Sequence, residues 1–587
     1  MDFTRVFDIL PYQLSKFPKN DALASKVNSQ WVTYSTEEYF KVVNQVSMGL
    51  IKLGIKKDDK IALISPNRPE WNFIEMGIQQ VGAISVPIYP SQTIEDYKFI
   101  FSDSETKLVF VADKELYHKA LTAAEGNNNI LKIYTFNAVE GASLWKELID
   151  EVNQNDFAAL EPFKAAITPD DILTIIYTSG TTGTPKGVML THNNLVSQCK
   201  AAAPLMPVDH SCRAFSFLPL CHVYERMLSY VYQSNGLSIY YAENMDTISD
   251  NLKEVKPHMF VTVPRLLEKV YDKIIAKGQE LTGIKRKLFF WAHDLGMKYE
   301  LDKDLGFVYN LQLKLANKLI FSKWREALGG NIKVIVSGGA ALQPRLAKIF
   351  SAAQIIVMEG YGLTETSPVI AVNHFEEENR RIGTVGPIFP GVEVKIAEDG
   401  EILSRGPHIM KGYFKRPDLT AEAIDAEGWF HTGDIGEIVE GKFLKITDRK
   451  KEIFKTSGGK YIAPGNMENK FKESKFIEQI MIVGEFKKFP AALIIPAFNF
   501  LKDWCGIKGI PYSTNEEMIK NSQVIARIQQ EVDILNENYA QFEKIKKFEL
   551  LAKEWTIDNG ELTPTLKLKR KIIKAKNEQL IEKMYEE

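Results

Sequence analysis

The sequence predicts an α/β protein with a large, multi-part N-terminal domain built on parallel sheets and a small β-barrel-like part, followed by a smaller, mobile α+β C-terminal domain. Three observations carry that expectation. Apolar runs of strand length alternate with helix-period stretches through the first two thirds of the chain. The pattern changes to strict period-two alternation near residue 391, and new strands and helices follow a polar, charge-dense run at 447–452. At 587 residues, the chain is also longer than a single hydrophobic core usually serves.

Taken in order, Lys60-Ile61-Ala62-Leu63-Ile64, the stretch 81–89, Leu108-Val109-Phe110-Val111 and the stretch 332–336 read as buried parallel strands, several of them ending in Gly, Ser or Pro turns. Val392-Glu393-Val394-Lys395-Ile396 alternates, with Gly400 and Gly406 as turn signals, so 391–414 reads as antiparallel and barrel-like. Phe443-Leu444-Lys445-Ile446 is the last strand before the charged run. Ile480-Met481-Ile482-Val483 and 491–495 are strands of what comes after it. The boundary is placed at Asp448, giving domains 1–447 and 448–587.

Composition excludes several classes. Lys plus Arg number 73 against 75 for Asp plus Glu, so no positive excess is available to neutralise a nucleic-acid backbone. The basic stretch Lys567, Lys569, Arg570, Lys571, Lys574 and Lys576 reads as a solvated helix face. Cys199, Cys212, Cys221 and Cys505 show no zinc or redox spacing, which fits a reduced cytoplasmic setting. The N-terminus lacks the order of a secretory signal, and no apolar run approaches the ~20 residues needed to span a bilayer, so any membrane contact is expected to be peripheral.

The most informative segment is Thr178-Ser179-Gly180-Thr181-Thr182-Gly183-Thr184-Pro185-Lys186-Gly187, which follows the buried strand Leu173-Thr174-Ile175-Ile176-Tyr177. Small residues let backbone N–H groups approach an anion, the hydroxyls add donors, and Lys186 adds a cation, so the run reads as a polyphosphate cradle. It is not a Walker A loop, because Pro185 and Gly187 stand where that motif requires Gly and Ser or Thr.

On this segment the chain resembles the adenylate-forming superfamily, which includes acyl-CoA synthetases, peptide-synthetase adenylation domains and firefly luciferase. Further matches follow in order: Glu359-Gly360-Tyr361-Gly362-Leu363-Thr364-Glu365-Thr366, Gly428-Trp429-Phe430-His431-Thr432-Gly433-Asp434, Asp448-Arg449, Lys455-Thr456-Ser457-Gly458-Gly459-Lys460 and Lys567. Ser65-Pro66-Asn67-Arg68-Pro69-Glu70-Trp71 precedes them.

The resemblance implies ATP, Mg²⁺ and coenzyme A as cofactors and cosubstrates, with a role for each motif. Thr364 would meet the α-phosphate, and Glu365 would ligate Mg²⁺ through a hard carboxylate oxygen. Tyr361 and Gly362, with Gly338, Gly339 and Ala340 opposite, would hold adenine. Asp434 in its loop, helped by Arg449, would bind the ribose hydroxyls, and His222 would line the carboxylate end of an acyl pocket. Lys567 would bridge the carboxylate and the α-phosphate. Its usual preceding Gly is replaced here by Leu566, which leaves Lys569 as the competing choice. Rotation about Asp448 would separate adenylation from thioester formation and bring the Ser457-Gly458-Gly459 turn round to a thiol tunnel.

Between Val263-Pro264-Arg265 and Asn331 lies a stretch rich in helix formers and aromatics, including Phe289-Phe290-Trp291. Such an insertion resembles long-chain fatty acyl-CoA synthetases and implies a fatty acid substrate of long chain. Other readings stay open at this point: a fatty acyl-AMP ligase serving a carrier protein, a luciferase-like oxygenase, and a non-enzymatic nucleotide-binding scaffold.

Overall fold

The computed structural model describes every residue except 151, 180–184, 451, 558, 564, 565 and 587. Its contacts divide the chain into two compact units. The first comprises Met1–Gly339, Ala347–Lys395 and Leu403–His431, and the second Ala340–Leu346, Ile396–Ile402 and Thr432–Glu587.

The larger unit is built on two eight-stranded sheets. One runs in the order Gly412–Tyr413, Pro185–Thr191, Ile172–Ser179, Ile84–Pro87, Lys60–Ile64, Thr106–Val111, Lys132–Thr135, Ser143–Leu144. From Ile172–Ser179 to Ser143–Leu144 its neighbours are parallel, and their side chains are mostly buried, as near-continuous apolar runs require. The other sheet places Met259–Thr262, Val334–Ser337 and Val357–Gly362 side by side in parallel, with Val369–Val372 antiparallel at its edge. Helices start where side-chain acceptors satisfy their first N–H groups: Ser35 caps Thr36–Lys52 with Glu38 reaching back, and Thr93 with Asp96 does the same for Ile94–Asp103. One core joins these layers, from Phe3 and Val6 through Phe73 and Tyr230 to Tyr413 and Phe430.

The smaller unit has its own core, Ile462 to Met584, around the sheet Ile477–Val483, Ala491–Pro496, Lys547–Leu550. The strands Phe430–Val439, which enters this unit at Thr432, and Phe443–Arg449 form an antiparallel hairpin with Asp434 opposite Arg449.

The expected strands are present, with three differences. Only Glu393–Ile396 and Glu401–Arg405 of the alternating stretch join the Phe430–Val439 hairpin in one four-stranded sheet, whereas Gly412–Tyr413 pairs with Met189 and Val188 of the parallel sheet. Asp434 lies within a strand and not in a loop. The charged run 447–452 begins inside Phe443–Arg449, where Asp448 is buried opposite Ile435. Alternation of polar and apolar residues is what a half-buried strand needs, so charge density alone misplaces the end of this one.

Candidate functional site

In the larger unit, Ile172–Ser179 and Pro185–Thr191 form an antiparallel hairpin that pairs Thr178 with Lys186 and Ser179 with Pro185. Gly180, Thr181, Thr182 and Gly183 of the phosphate segment lie outside the described residues. Gly187 admits no side chain, since a Cβ there would stand 2.7 Å from Ile175 and 3.2 Å from the Tyr177 ring.

Lys186 and Glu365 converge on Tyr413. The Tyr413 hydroxyl donates to Glu365 Oε1 at 2.9 Å, the Met410 N–H donates to the Glu365 carbonyl at 2.8 Å, and Lys186 Nζ lies 5.0 Å from the centre of the Tyr413 ring. Burial, reinforced by the Glu365 carboxylate, pushes the Tyr413 phenol well above its ordinary range, so it remains a donor. Glu365 is half-buried and fixed. Among the described residues no group of three or more His, Cys, Asp or Glu could hold a metal ion. One hard carboxylate is still a fitting donor set for Mg²⁺, which usually takes one or two carboxylates together with substrate phosphates and water.

Thr364 and Glu365 sit in a short 3₁₀ turn directly after Val357–Gly362. Gly362 is required there because a Cβ would come within 1.6 Å of the Pro368 carbonyl oxygen. Tyr361 is half-buried on the same strand, opposite Ala371. Gly338 lies at the end of the neighbouring strand Val334–Ser337, with the Tyr224 ring 3.1 Å from where its Cβ would be, and Gly339 has φ +81° with room around it. The Tyr224 hydroxyl donates to the Val336 carbonyl at 3.0 Å.

His222 caps the helix Val223–Ser234, its Nδ1 accepting the Tyr224 N–H at 3.1 Å. The segment before it is held by Asn67, which accepts the Leu220 N–H at 2.9 Å and donates to the Leu218 carbonyl at 2.6 Å. One turn into the helix, Arg226 is fully buried. It pairs with Glu75 and donates to Tyr230 at 2.8 Å, Thr174 at 2.8 Å and Ser85 at 2.8 Å. Thr174 belongs to the strand that leads into the phosphate hairpin, so this network locks the His222 helix to that strand.

In the smaller unit, Asp434 and Arg449 meet across the hairpin, Nε to Oδ1 at 3.3 Å, with the carboxylate buried and the guanidinium half-exposed. Ser457, Gly458 and Gly459 form the turn between Phe454–Lys455 and Tyr461–Ile462, and Gly459 has φ +75° with no atom within 4 Å of a would-be Cβ. Beside this turn is a hollow of about 520 Å³ lined by Gly458, Lys460, Lys488, Phe542, Lys546 and Lys547.

Lys567 is bonded back to Thr563. Its carbonyl accepts the Thr563 N–H at 2.8 Å, its N–H donates to Thr563 Oγ1 at 3.0 Å, and Leu562 pairs with Leu568. Leu566 has φ +63°, the left-handed region that Gly occupies at no steric cost. The backbone before Lys567 thus has the shape a Gly-Lys motif would give it. Three residues on, Arg570 donates to Glu452 at 2.9 Å and to Glu468 at 2.5 Å. Burial works against its charge, but the Glu468 and Glu452 carboxylates outweigh it and keep Arg570 protonated. Burial also raises Asp448 to about 6.

Sequence reading missed Tyr413 and the Arg226–Glu75 pair, gave Asn67 no role within its motif, and read Arg570 as part of a solvated helix face, whereas it is clamped by Glu452 and Glu468. Each acts across a long stretch of chain, and local motifs carry no trace of such pairings.

A two-sheet α/β unit that carries the Gly-x-Thr-Glu turn, followed by a smaller unit, has the organisation of the adenylate-forming enzymes. Comparison with known proteins identifies the family. The AMP-binding enzyme family model matches residues 10–414, and the AMP-binding enzyme C-terminal domain matches residues 451–587. The chain belongs to the AMP-binding enzymes. It is 34% identical over 565 residues to the long-chain-fatty-acid–CoA ligase FadD15 of Mycobacterium bovis, covering 95% of this chain and 93% of that protein. With human long-chain-fatty-acid–CoA ligase 1 it shares 33% identity over 580 residues, 92% of this chain and 80% of the other. Among solved structures, the A domain of a carboxylic acid reductase from Segniliparus rugosus, in complex with AMP and a co-purified carboxylic acid, shares the fold. Its TM-score is 0.74 at 20% identity, covering 99% of this chain and 94% of that one.

Proposed function

We propose that this chain joins a long-chain fatty acid to coenzyme A in two steps, through an acyl-adenylate, releasing pyrophosphate and then AMP. The reading is supported by two lysine-bearing surfaces of different kind. The Lys186–Tyr413–Glu365 cluster lies beside a phosphate hairpin, and the lysine-lined hollow lies beside the Gly458 turn. The first suits a nucleoside triphosphate. The second suits the multiply charged nucleotide end of coenzyme A. Relatives at 34% and 33% identity over nearly the whole chain act as long-chain fatty acid ligases by name, which supports the choice of acid.

In the first step a carboxylate oxygen attacks the α-phosphorus and pyrophosphate leaves. Thr178, Ser179 and Lys186 hold the outer phosphates with the rest of the phosphate segment, Thr364 meets the α-phosphate, Tyr361 stacks on adenine, and Asp434 with Arg449 grips the ribose. Glu365 would hold Mg²⁺, which supplies charge neutralisation at the phosphate oxygens. His222 orients the acid, and Lys567 offsets the charge developing between carboxylate and phosphate. In the second step the thiol attacks the acyl carbon and AMP leaves. Lys567 must then withdraw, through a hinge at Asp448 that moves 448–587 relative to 1–447. Peripheral contact with a membrane would bring the enzyme to its lipid substrate.

Pyrophosphate release measured against acids of increasing chain length, with and without coenzyme A, tests the reading. Release should need a long-chain acid and thioester should need coenzyme A; release that is indifferent to the acid refutes it. Glu365→Gln should abolish Mg²⁺-dependent adenylate formation, and near-normal release by this variant removes Glu365 from the metal role. Gly459→Leu should spare adenylation and obstruct thioester formation. Its side chain would meet no atom of the protein, so a selective loss reports contact with the incoming thiol.

A further inference from the structure

Helix Pro69–Gln80 and the residue that leads into it reach the His222 segment at two places. Just before the helix starts, Asn67 donates to the Leu218 carbonyl and accepts the Leu220 N–H. Further along the same helix, Glu75 pairs with Arg226, which follows His222 by one turn. The stretch 218–226, with His222 at its middle, is thus pinned at both ends to one helix. Arg226 then carries the frame into the sheet. Its guanidinium donates to Thr174 at 2.8 Å and to Ser85 at 2.8 Å, and these two residues stand opposite each other on the neighbouring strands Ile172–Ser179 and Ile84–Pro87. One cation therefore joins two helices and two strands.

Both side chains of the Arg226–Glu75 pair are 0% exposed. Burial works against the charge of Arg226, and the Glu75 carboxylate outweighs it. An ion pair taken out of water returns little net stability, and two apolar side chains of similar volume commonly serve a core as well or better. What an apolar pair cannot supply is direction, because a planar fork held by fixed partners admits one arrangement. The levers on either side are short. His222 stands one turn, ~6 Å, from Arg226, and Thr178 stands four residues, ~13 Å, from Thr174 along its strand.

We infer that Arg226, held by Glu75, is a positioning residue for adenylation, which sets the distance between His222 and the strand Ile172–Ser179 that leads to the phosphates. The inference rests on the ligase reading for the roles of His222 and Thr178, while the frame itself belongs to the larger unit alone. A carboxylate and an α-phosphate misplaced by about 1 Å lose about 100-fold in rate although each reactant still binds. Once the adenylate has formed, acid and phosphate are one molecule, and two reactants no longer need alignment.

Arg226→Met alone would strand the Glu75 carboxylate in the interior, so the test is Arg226→Met together with Glu75→Met in the full chain. The urea midpoint of this double variant should stay close to that of the wild type. Its kcat for pyrophosphate release with a long-chain acid should fall about 10–100-fold, with KM for ATP and for the acid changed less than about twofold. Thioester formation from preformed acyl-adenylate should proceed within about twofold of the wild-type rate. Arg226→Lys keeps the charge beside Glu75 and loses the fork, so it should show the same split in smaller measure, and it carries the comparison if the double variant does not fold. Amide hydrogen exchange over 218–222, followed by mass spectrometry, should quicken about tenfold in the double variant. Adenylation at the wild-type rate, equal loss of both half-reactions or unchanged exchange overturns the positioning role and leaves the ligase reading intact. A wild-type chain that releases no pyrophosphate with any fatty acid overturns the ligase reading, and the exchange measurement then decides on the frame by itself.

Discussion

Glu365 and Lys567 are both single charges, yet the chain secures them by different means. The Glu365 turn grows directly out of the strand Val357–Gly362, beneath a glycine that the Pro368 carbonyl makes obligatory, and Tyr413 from the edge of the other large sheet holds the carboxylate. Lys567 is bonded to Thr563 and lies beside the Leu562–Leu568 bridge, with a left-handed Leu566 before it and the Arg570 clamp to Glu452 and Glu468 after it. Ladders fix a side chain by many weak bonds that no single substitution removes, whereas a clamp concentrates the positioning in two or three groups. If Lys567 serves one half-reaction and vacates the site for the other, as proposed, the second arrangement suits it.

The strongest way to break this comparison is Lys567→Ala. Adenylate formation should fall about 10²–10³-fold with loss of a transition-state charge partner, while thioester formation from preformed acyl-adenylate survives. Equal loss of both steps refutes the division of labour, and the same selective defect in Lys569→Ala moves the role to that lysine. Arg570→Lys keeps the charge but loses the two-pronged geometry. It should slow adenylation about tenfold and leave thioester formation alone, because misplacement of Lys567 matters only in the first step. Loss of both steps together would make Arg570 a purely structural residue. On the other side, Tyr413→Phe should raise the Mg²⁺ concentration needed for half-maximal pyrophosphate release about tenfold with little change at saturating Mg²⁺, since one hydrogen bond to a charged group contributes about 1.5–3 kcal/mol. An unchanged Mg²⁺ dependence separates Tyr413 from the role of Glu365.

The smallest effect concerns the interior beside His222. Burial raises Glu225 to about 8, so the folded chain keeps its proton at pH 7 while the unfolded chain, with an ordinary carboxyl, does not. The folded state therefore binds more protons between these two values, and its stability declines as pH rises from about 4.5 towards 8. Glu225→Gln should shift the urea midpoint little near pH 5 and flatten that decline. Parallel pH profiles for the two proteins would show that Glu225 is ionised when folded.

Much of this was legible in the sequence, for definite reasons. Buried parallel strands announce themselves as apolar runs, so Lys60–Ile64 and Ile172–Ser179 are readable from composition. Motifs confined to a few consecutive residues, such as Gly362 to Glu365, are readable because their constraint is local. The carriers of precision were not: Asn67 lies 153 residues from Leu220, Tyr413 lies 48 from Glu365, and Arg570 lies 118 from Glu452. Leu566 was misleading for the opposite reason, since the conformation is kept and the residue type that usually signals it is not.

The strand Gly412–Tyr413 is only two residues long and is the outermost of its sheet, with Lys415, Arg416 and Pro417 close behind. A stub of that length, followed by cations and a proline, offers a neighbouring chain almost no edge on which to add a strand. The short strand whose Tyr413 steadies the Glu365 carboxylate therefore also keeps the strand Pro185–Thr191 from becoming a template for aggregation. Substitutions that loosen this stub should first be noticed as protein lost to the insoluble fraction, before any assay of catalysis is run.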